Sequence, residues 1–213
     1  MSSSLKEKLP DSYSDISETL ESAKLILSEA VPNAQTLFHT PVVSTVHENK
    51  IVSRVMVLRE FDFDKKLLRF HTDNRAAKIE NLKQNSSATV IGYDPDLKIQ
   101  IKMQGQATVN INNEVTQMAW NESTARSKKC YSVKGGSTKE IENPAEYDIT
   151  DFDVEEGYQN FAVIVFSFSS MEFLYLKSSG HRRALHTWDE EYSSTWLVPW
   201  SIYKLDIIVN PYH

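Results

Sequence analysis

The sequence predicts a mainly β protein whose antiparallel strands form a closed or nearly closed barrel with helices at its ends. Many short runs of β-branched and aromatic residues are separated by hairpin turns, and only a few segments follow a helical period. With 213 residues, of which 40% are hydrophobic, the chain can bury one sizeable core. We therefore expect a single domain over residues 1–213, with a core at about 16–199 and a tail at 200–213.

The first elements are predicted to be a helix and a β-hairpin. Residues 14–30 carry apolar side chains close to a helical period, with Ser14 or Asp15 available as N-cap and Pro32 as the stop. Apolar alternation over residues 40–46 and a second run over 51–59 flank a polar turn. Two such runs around a short polar turn are typical of a hairpin.

A strand and a second helix follow. Residues 67–72 form the next apolar run, and Asp73 or Asn74 is positioned to cap a helix with one apolar face. That face consists of Ala76, Ala77, Ile79 and Leu82. A hairpin with an Asp-Pro-Asp turn is then expected at 87–93 and 98–109, and a helix at 113–127.

The last third of the chain contains a polar excursion and the closing strands. Residues 128–154 are rich in Lys, Gly, Ser, Asn and Asp, so we expect a long exposed loop that is functional or mobile. The remaining apolar runs are expected as strands at 161–169, 170–177, 184–188 and 196–199.

Composition excludes several classes of function. A net charge of −6 and a pI near 5.5 argue against a nucleic-acid or membrane-surface protein, although a local basic pocket remains compatible with one phosphate. The single cysteine, Cys130, excludes an intrachain disulfide. The sequence contains no cluster of cysteine and histidine residues, so it does not predict a structural zinc site. The polar N-terminus lacks a signal-peptide pattern, and no apolar run is long enough to span a bilayer. We expect a cytoplasmic protein.

One group of cations is suggestive. Arg54, Arg59, Arg75 and Lys78 fall within one strand–turn–strand–helix unit and are able to converge on a phosphate. On composition alone, solvated surface cations are the more common outcome. Motifs for other enzymes are missing, since the sequence has no Gly-rich phosphate loop, G-x-S-x-G or H-E-x-x-H.

Four segments in one order carry a sharper signal: SRVMVLREFD (53–62), LRFHTDNRAAKIENLKQN (68–85), IQIKMQGQA (99–107) and MEFLYLKSSGHRRALHTW (171–188), followed by WLVP. Over about 16–199 the chain resembles the pyridoxamine 5'-phosphate oxidase-like FMN-binding family. The resemblance implies an FMN-binding split β-barrel, antiparallel and Greek-key-like, that forms a homodimer with one flavin in each of two clefts between the subunits. The nine tyrosines and four tryptophans are compatible with an aromatic dimer interface or with a well-filled core.

The resemblance also assigns cofactor residues. Arg54 and Lys78 match phosphate-binding positions, and Arg75 is a replacement for an arginine lost at Ala76-Ala77. Further positions match contacts to the flavin ring or the ribityl chain, namely Val55, Met56, Val57, Arg59, His71, Thr72, Gln100 and Arg183. Structural alternatives are a surface ion pair for Arg54, a cross-strand hydrogen bond for Gln100 and ordinary β propensity for Thr72.

The substrate positions depart from the family pattern. The stretch QMAWNESTARSKK lacks the tyrosine of the oxidases, and STWLVP lacks their arginine. Arg126, Ser127 and His186 remain as partial matches for substrate binding, and no catalytic residue is assigned. We expect an FMN-dependent oxidoreductase with an undefined small-molecule substrate or electron donor. The alternatives are a non-enzymatic flavin or other cofactor binder and a true pyridoxamine 5'-phosphate oxidase with an altered pocket.

Overall fold

The computed structural model describes residues 5–137, 140–147 and 155–199. In these ranges the chain forms one antiparallel sheet of nine strands with four α-helices, which confirms the predicted fold class. The helices are α1 (Ile16–Ala30), α2 (Ala77–Gln84), α3 (Glu114–Glu122) and α4 (Ala125–Lys129). The strands are β1 (Val42–His47), β2 (Lys50–Val55), β3 (Leu58–Asp62), β4 (Leu67–Asp73), β5 (Ser87–Asp94), β6 (Ile99–Asn110), β7 (Phe161–Tyr175), β8 (Arg182–Trp188) and β9 (Tyr192–Leu197).

The longest strand, β7, connects the two parts of the sheet. The order is β2-β1-β5-β6-β7-β4-β3, with β8 and β9 extending from β7. Residues 161–167 of β7 pair with β4, and residues 170–175 pair with β8 on the same side. The expectation of two strands at 161–169 and 170–177 is therefore wrong. A register shift falls opposite Gly105, where a Cβ atom would lie 2.0 Å from the Ser167 carbonyl oxygen.

A second correction concerns the apolar run at 51–59, which forms two strands instead of one. Val55 of β2 pairs with Val42 of β1, whereas Leu58 of β3 pairs with Phe70 of β4. Between them the Met56 amide donates to a loop carbonyl, that of Pro41, at 3.1 Å. Because β propensity says nothing about which strand is the partner, the run gave no sign of this change.

Helix α1 covers the core. Asp15, one of the two predicted N-caps, forms a capping box with Glu18 at its start. Its side chains Ala23, Ile26 and Ala30 are fully buried, and the helix packs against β3, β7, β8 and β9. Burial of each large apolar side chain stabilises the fold by roughly 1.5–3 kcal/mol.

The polar third of the chain is more structured than expected. The predicted helix at 113–127 is split into α3 and α4, because Thr124 accepts from the Ser127 amide and caps a new helix. Of the predicted excursion at 128–154, residues 138–139 and 148–154 lie outside the described residues, as does the predicted tail at 200–213. Among the described helices, none is long and apolar enough to cross a membrane.

Candidate functional site

A cavity of about 500 Å³ lies between β2, the start of β3, the end of β4 and helix α2. This size suits a small-molecule cofactor. Eight of the predicted cofactor residues line it: Arg54, Val55, Met56, Val57, Arg59, His71, Thr72 and Lys78. Residues that are far apart in the sequence therefore meet at one site, as the resemblance implied.

Two cations lie at one end of the cavity. The Arg54 guanidinium donates from Nη1 to Thr45 Oγ1 at 2.8 Å, and Lys78 Nζ donates to Thr72 Oγ1 at 3.1 Å. Neither cation forms an ion pair with an acidic side chain of the described residues. Burial, followed by the charge of Arg54, lowers the pKa of Lys78, and burial lowers the pKa of Arg54. Two partly desolvated like charges, neither of them in an ion pair among the described residues, favour an anionic ligand.

Helix α2 begins at the same end without a side-chain cap. Its N-cap is Ala76, which has no acceptor, so the expectation that Asp73 or Asn74 caps the helix is wrong. Asp73 instead binds Arg75, and the Asn74 amide donates to the Gln159 carbonyl at 2.6 Å. Ala76 and Ala77 line the cavity, so the positive end of the helix dipole lies beside the two cations.

Two buried nitrogen atoms at the cavity have no hydrogen-bond partner among the described residues. They are His71 Nε2 and Arg59 Nε. The His71 ring packs edge-on against Phe161 at 5.0 Å between centroids. Burial, followed by the charges of Arg59 and Arg69, lowers the pKa of His71 to about 3, so the imidazole is neutral at neutral pH. Because unpaired buried polar atoms cost free energy, a ligand that supplies partners would stabilise this arrangement.

Sequence reasoning missed several lining residues, of which Tyr131 and Ser137 are the most distant in sequence from the rest. Tyr131 packs against Phe161 at 4.9 Å between centroids, and burial raises the pKa of its phenol, which therefore stays protonated. An aromatic residue isolated in a segment rich in Lys, Gly and Ser was the available signal. The other missed residues are Val52, Ser53, Ala76, Ala77 and Asn81.

Three predicted cofactor residues do not line the cavity. Arg75 binds the Asp73 carboxylate at 2.6 Å. Gln100 and Arg183 lie on one face of the sheet, on either side of Leu174 of β7. Strand pairing places both side chains on the face of the sheet that also carries Val55.

Arg183 is held in an ion-pair triad on that face. Its Nη2 atom donates to Glu172 Oε1 at 2.8 Å, and Lys102 Nζ donates to Oε2 of the same carboxylate at 2.9 Å. The Glu172 side chain is only 7% exposed, so both cations shield it from water. The triad carries one surplus positive charge.

The predicted substrate residues also lie elsewhere. Arg126 is exposed on α4, and the Ser127 amide donates to Thr124 at 3.2 Å. His186 is fully buried and bonds Thr19 at 2.9 Å and Tyr192 at 3.1 Å. None of the three lines this cavity of the single chain, and their role in a site shared between two subunits stays a prediction.

Comparison with known proteins agrees with the predicted resemblance. Residues 22–111 match the model of the family described as pyridoxamine 5'-phosphate oxidase, FMN-binding domain. These residues include all eight predicted residues that line the cavity. Among curated proteins, no sequence matches the chain.

Solved structures show the same fold. A pyridoxamine 5'-phosphate oxidase-related, FMN-binding protein from Nostoc punctiforme PCC 73102 superposes with a TM-score of 0.70 and 21% identity, covering 83% of this chain and 95% of that one. PhzG from Burkholderia lata 383, in complex with tetrahydrophenazine-1-carboxylic acid, superposes with a TM-score of 0.70 and 18% identity, covering 90% and 99%. The resemblance to this FMN-binding family and the split-barrel fold are therefore confirmed.

Proposed function

We propose that this chain binds FMN in the cavity and acts as an FMN-dependent oxidoreductase of the pyridoxamine 5'-phosphate oxidase-like class with an undefined substrate. The observation that carries the proposal is the convergence of Arg54 and Lys78, without an acidic partner among the described residues, at the uncapped start of α2. A phosphate monoester needs two or three charge-assisted donors, and this end of the cavity offers two cations and backbone N–H groups.

The rest of the cavity fits a flavin as well. Val55, Met56 and Val57 line the cavity, and so do Arg59 and His71, whose buried Nε and Nε2 atoms lack a hydrogen-bond partner among the described residues. When bound, FMN supplies the electron and hydride chemistry. The protein's contribution is to hold the phosphate, orient the ring and place a positive charge near it.

We infer further that two chains form a homodimer that completes the site. Gln100 and Arg183 do not line the cavity of their own chain, which agrees with the family's arrangement of clefts between subunits. Strand β2 presents Ile51 and Val55, which are 78% and 62% exposed, beside that cavity. Val55→Lys is expected to weaken dimerisation and FMN binding together. Light scattering at micromolar concentration tests this, and a wild-type monomer that binds FMN tightly would contradict it.

A non-enzymatic flavin binder is the second candidate. It is favoured by the placement of Arg126, Ser127 and His186 outside the cavity, because no residue predicted for substrate binding lines the proposed flavin site within one chain. The two functions differ in turnover. An oxidoreductase would be reduced by a substrate or by a nicotinamide donor and reoxidised, whereas a binder would be bleached only by dithionite.

The first experiment is the visible absorption spectrum of the purified protein, followed by denaturation to release and identify the chromophore. Flavin bands with released FMN are the expected result. A colourless protein that also fails to take up added FMN would contradict the proposal.

A further inference from the structure

Arg75 is bound in a fixed orientation by Asp73. Arg75 Nη2 lies 2.6 Å from Asp73 Oδ2, and Nε donates to Oδ1 at 2.9 Å, so the fork of the guanidinium meets both carboxylate oxygens. The backbone amide of Arg75 also donates to Oδ1 at 2.8 Å. The hydrogen bonds to Asp73 raise the pKa of Arg75, and the planar bidentate geometry restricts its rotation.

The remaining side of the guanidinium reaches a segment far away in sequence. Arg75 Nη1 donates to the Val133 carbonyl oxygen at 3.1 Å. Gly136 lies against the same arginine, since a Cβ atom there would be 2.7 Å from Arg75 Cβ and 2.9 Å from its carbonyl oxygen. Gly135 has a φ of 78°, a conformation that glycine adopts without strain. The residues 131–137, called here the wall segment, are thus joined to Arg75 at two points.

The wall segment closes one side of the cofactor cavity. Its two ends, Tyr131 and Ser137, line the cavity. A second cavity of about 390 Å³ is lined by the wall segment and shares Thr72, Lys78, Tyr131 and Ser137 with the first. The wall segment therefore lies beside Lys78, at the end where the phosphate is proposed to bind, and its displacement would open that end to solvent.

We propose that Arg75 is a positioning residue that ties the wall segment to the start of α2 and so slows the release of the phosphate-bearing cofactor. This inference rests on the proposed binding of FMN. It replaces the expectation that Arg75 touches the phosphate, because the guanidinium is already engaged by Asp73 and Val133. A tether of this kind changes the dissociation rate more than the association rate.

The test compares Arg75→Lys with wild type in two measurements. Lysine keeps the positive charge but has no fork to bind Asp73 and Val133 together. In ligand-free protein, hydrogen exchange of the amides in residues 131–137 is expected to become faster. In loaded protein, the FMN dissociation rate, followed by recovery of flavin fluorescence, is expected to rise about tenfold, the effect of one lost charge-assisted hydrogen bond.

Gly136→Ala provides an independent variant that leaves Arg75 intact. The added methyl group would displace the wall segment, so faster exchange in that segment and faster release of FMN are again expected. Lys83→Ala, which removes an exposed cation near the end of α2, is the control and should change neither measurement.

Each alternative result is informative. Unchanged exchange in both variants would overturn the tether, and faster exchange with unchanged FMN release would overturn its role in retaining the cofactor. An Arg75→Lys protein that is unchanged in both measurements would overturn the proposal that the guanidinium fork ties the wall segment. If the wild type binds no FMN, the proposed function fails, and hydrogen exchange still decides whether Arg75 holds the wall segment.

Discussion

The cavity beside α2 and the contact between α1 and β8 each contain a buried histidine, and the two are satisfied to different degrees. In the α1–β8 region, both ring nitrogens of His186 have a partner, Thr19 at 2.9 Å and Tyr192 at 3.1 Å. In the cavity, His71 Nε2 has none among the described residues. The sequence resemblance assigned both histidines to ligands. A satisfied buried polar group is typical of a structural role, whereas an unsatisfied one beside a cavity favours a ligand site.

The arginines show the same difference. Arg75 and Arg183 each have a carboxylate within 3 Å, that of Asp73 or Glu172. Arg54, in the cavity, bonds only uncharged oxygens in the described residues. A cation kept partly buried without a counter-ion lowers the stability of the ligand-free protein, so an anionic ligand would provide the missing charge.

The largest expected effect is on the cation pair. Lys78→Gln or Arg54→Gln should each weaken FMN binding about tenfold to a hundredfold, because each removes a charge-assisted donor to the phosphate. Fluorescence titration of the ligand-free protein measures this, with Lys83→Gln as the exposed control. Burial lowers the pKa of Lys78, so its charge opposes folding, and Lys78→Gln should be at least as stable as wild type. Equal FMN affinity in wild type and both variants would mean that the unpaired cations of the cavity do not bind the phosphate. The difference between the two regions would then not indicate a ligand site.

The two histidines should give opposite results when replaced. His186→Ala is expected to lower the free energy of unfolding by about 3 kcal/mol, because it leaves a void and removes the hydrogen bonds from the ring to the hydroxyls of Thr19 and Tyr192. FMN binding at the cavity is expected to persist. His71→Ala should have a smaller effect on stability and a clear effect on FMN affinity. Denaturant unfolding and FMN titration of both variants measure the difference. Loss of FMN binding in a folded His186→Ala protein would show that the two regions are not separate.

A smaller effect is expected in the pH dependence of stability. Burial lowers the pKa of His186 to about 4, below the value near 6.5 of an unfolded chain. The unfolded state therefore binds more protons between these values. Stability should be complete above about pH 6.5 and fall by up to about 1.4 kcal/mol per pH unit towards pH 4 for this one group. Unfolding curves of His186→Gln should show a shallower loss over that range, and an unchanged slope would mean that His186 does not titrate as the structure implies.

The sequence predicted the cavity residues on β2, β4 and α2 better than it predicted the strand pairing and the contribution of residues 131–137. Local patterns fixed strand, turn and helix in order, which grouped Arg54, Arg75 and Lys78 in one unit. The resemblance to the family, and not the local pattern, assigned Thr72 and Val55 to Val57 to the cofactor. The chain's change of partner strand at Met56 and the single strand at 161–175 depend on long-range pairing, which propensity does not encode.

Two placements had a usable signal in the sequence. Arg183 and His186 are three residues apart in β8, so alternation places their side chains on opposite faces of the sheet. Arg75 lies two residues after Asp73, close enough for the carboxylate to bind it. Tyr131 reaches the cavity because it packs on Phe161, and Ser137 because the neighbouring Gly136 packs on Arg75. Local sequence patterns do not predict these long-range contacts.

The most direct test of the central claim is to titrate ligand-free protein with FMN and with riboflavin, which lacks only the phosphate. If Arg54, Lys78 and the start of α2 bind a phosphate, FMN should bind about a hundredfold more tightly or better, and Lys78→Gln should shrink that ratio. Equal affinity for the two flavins, or binding of neither, would contradict the account.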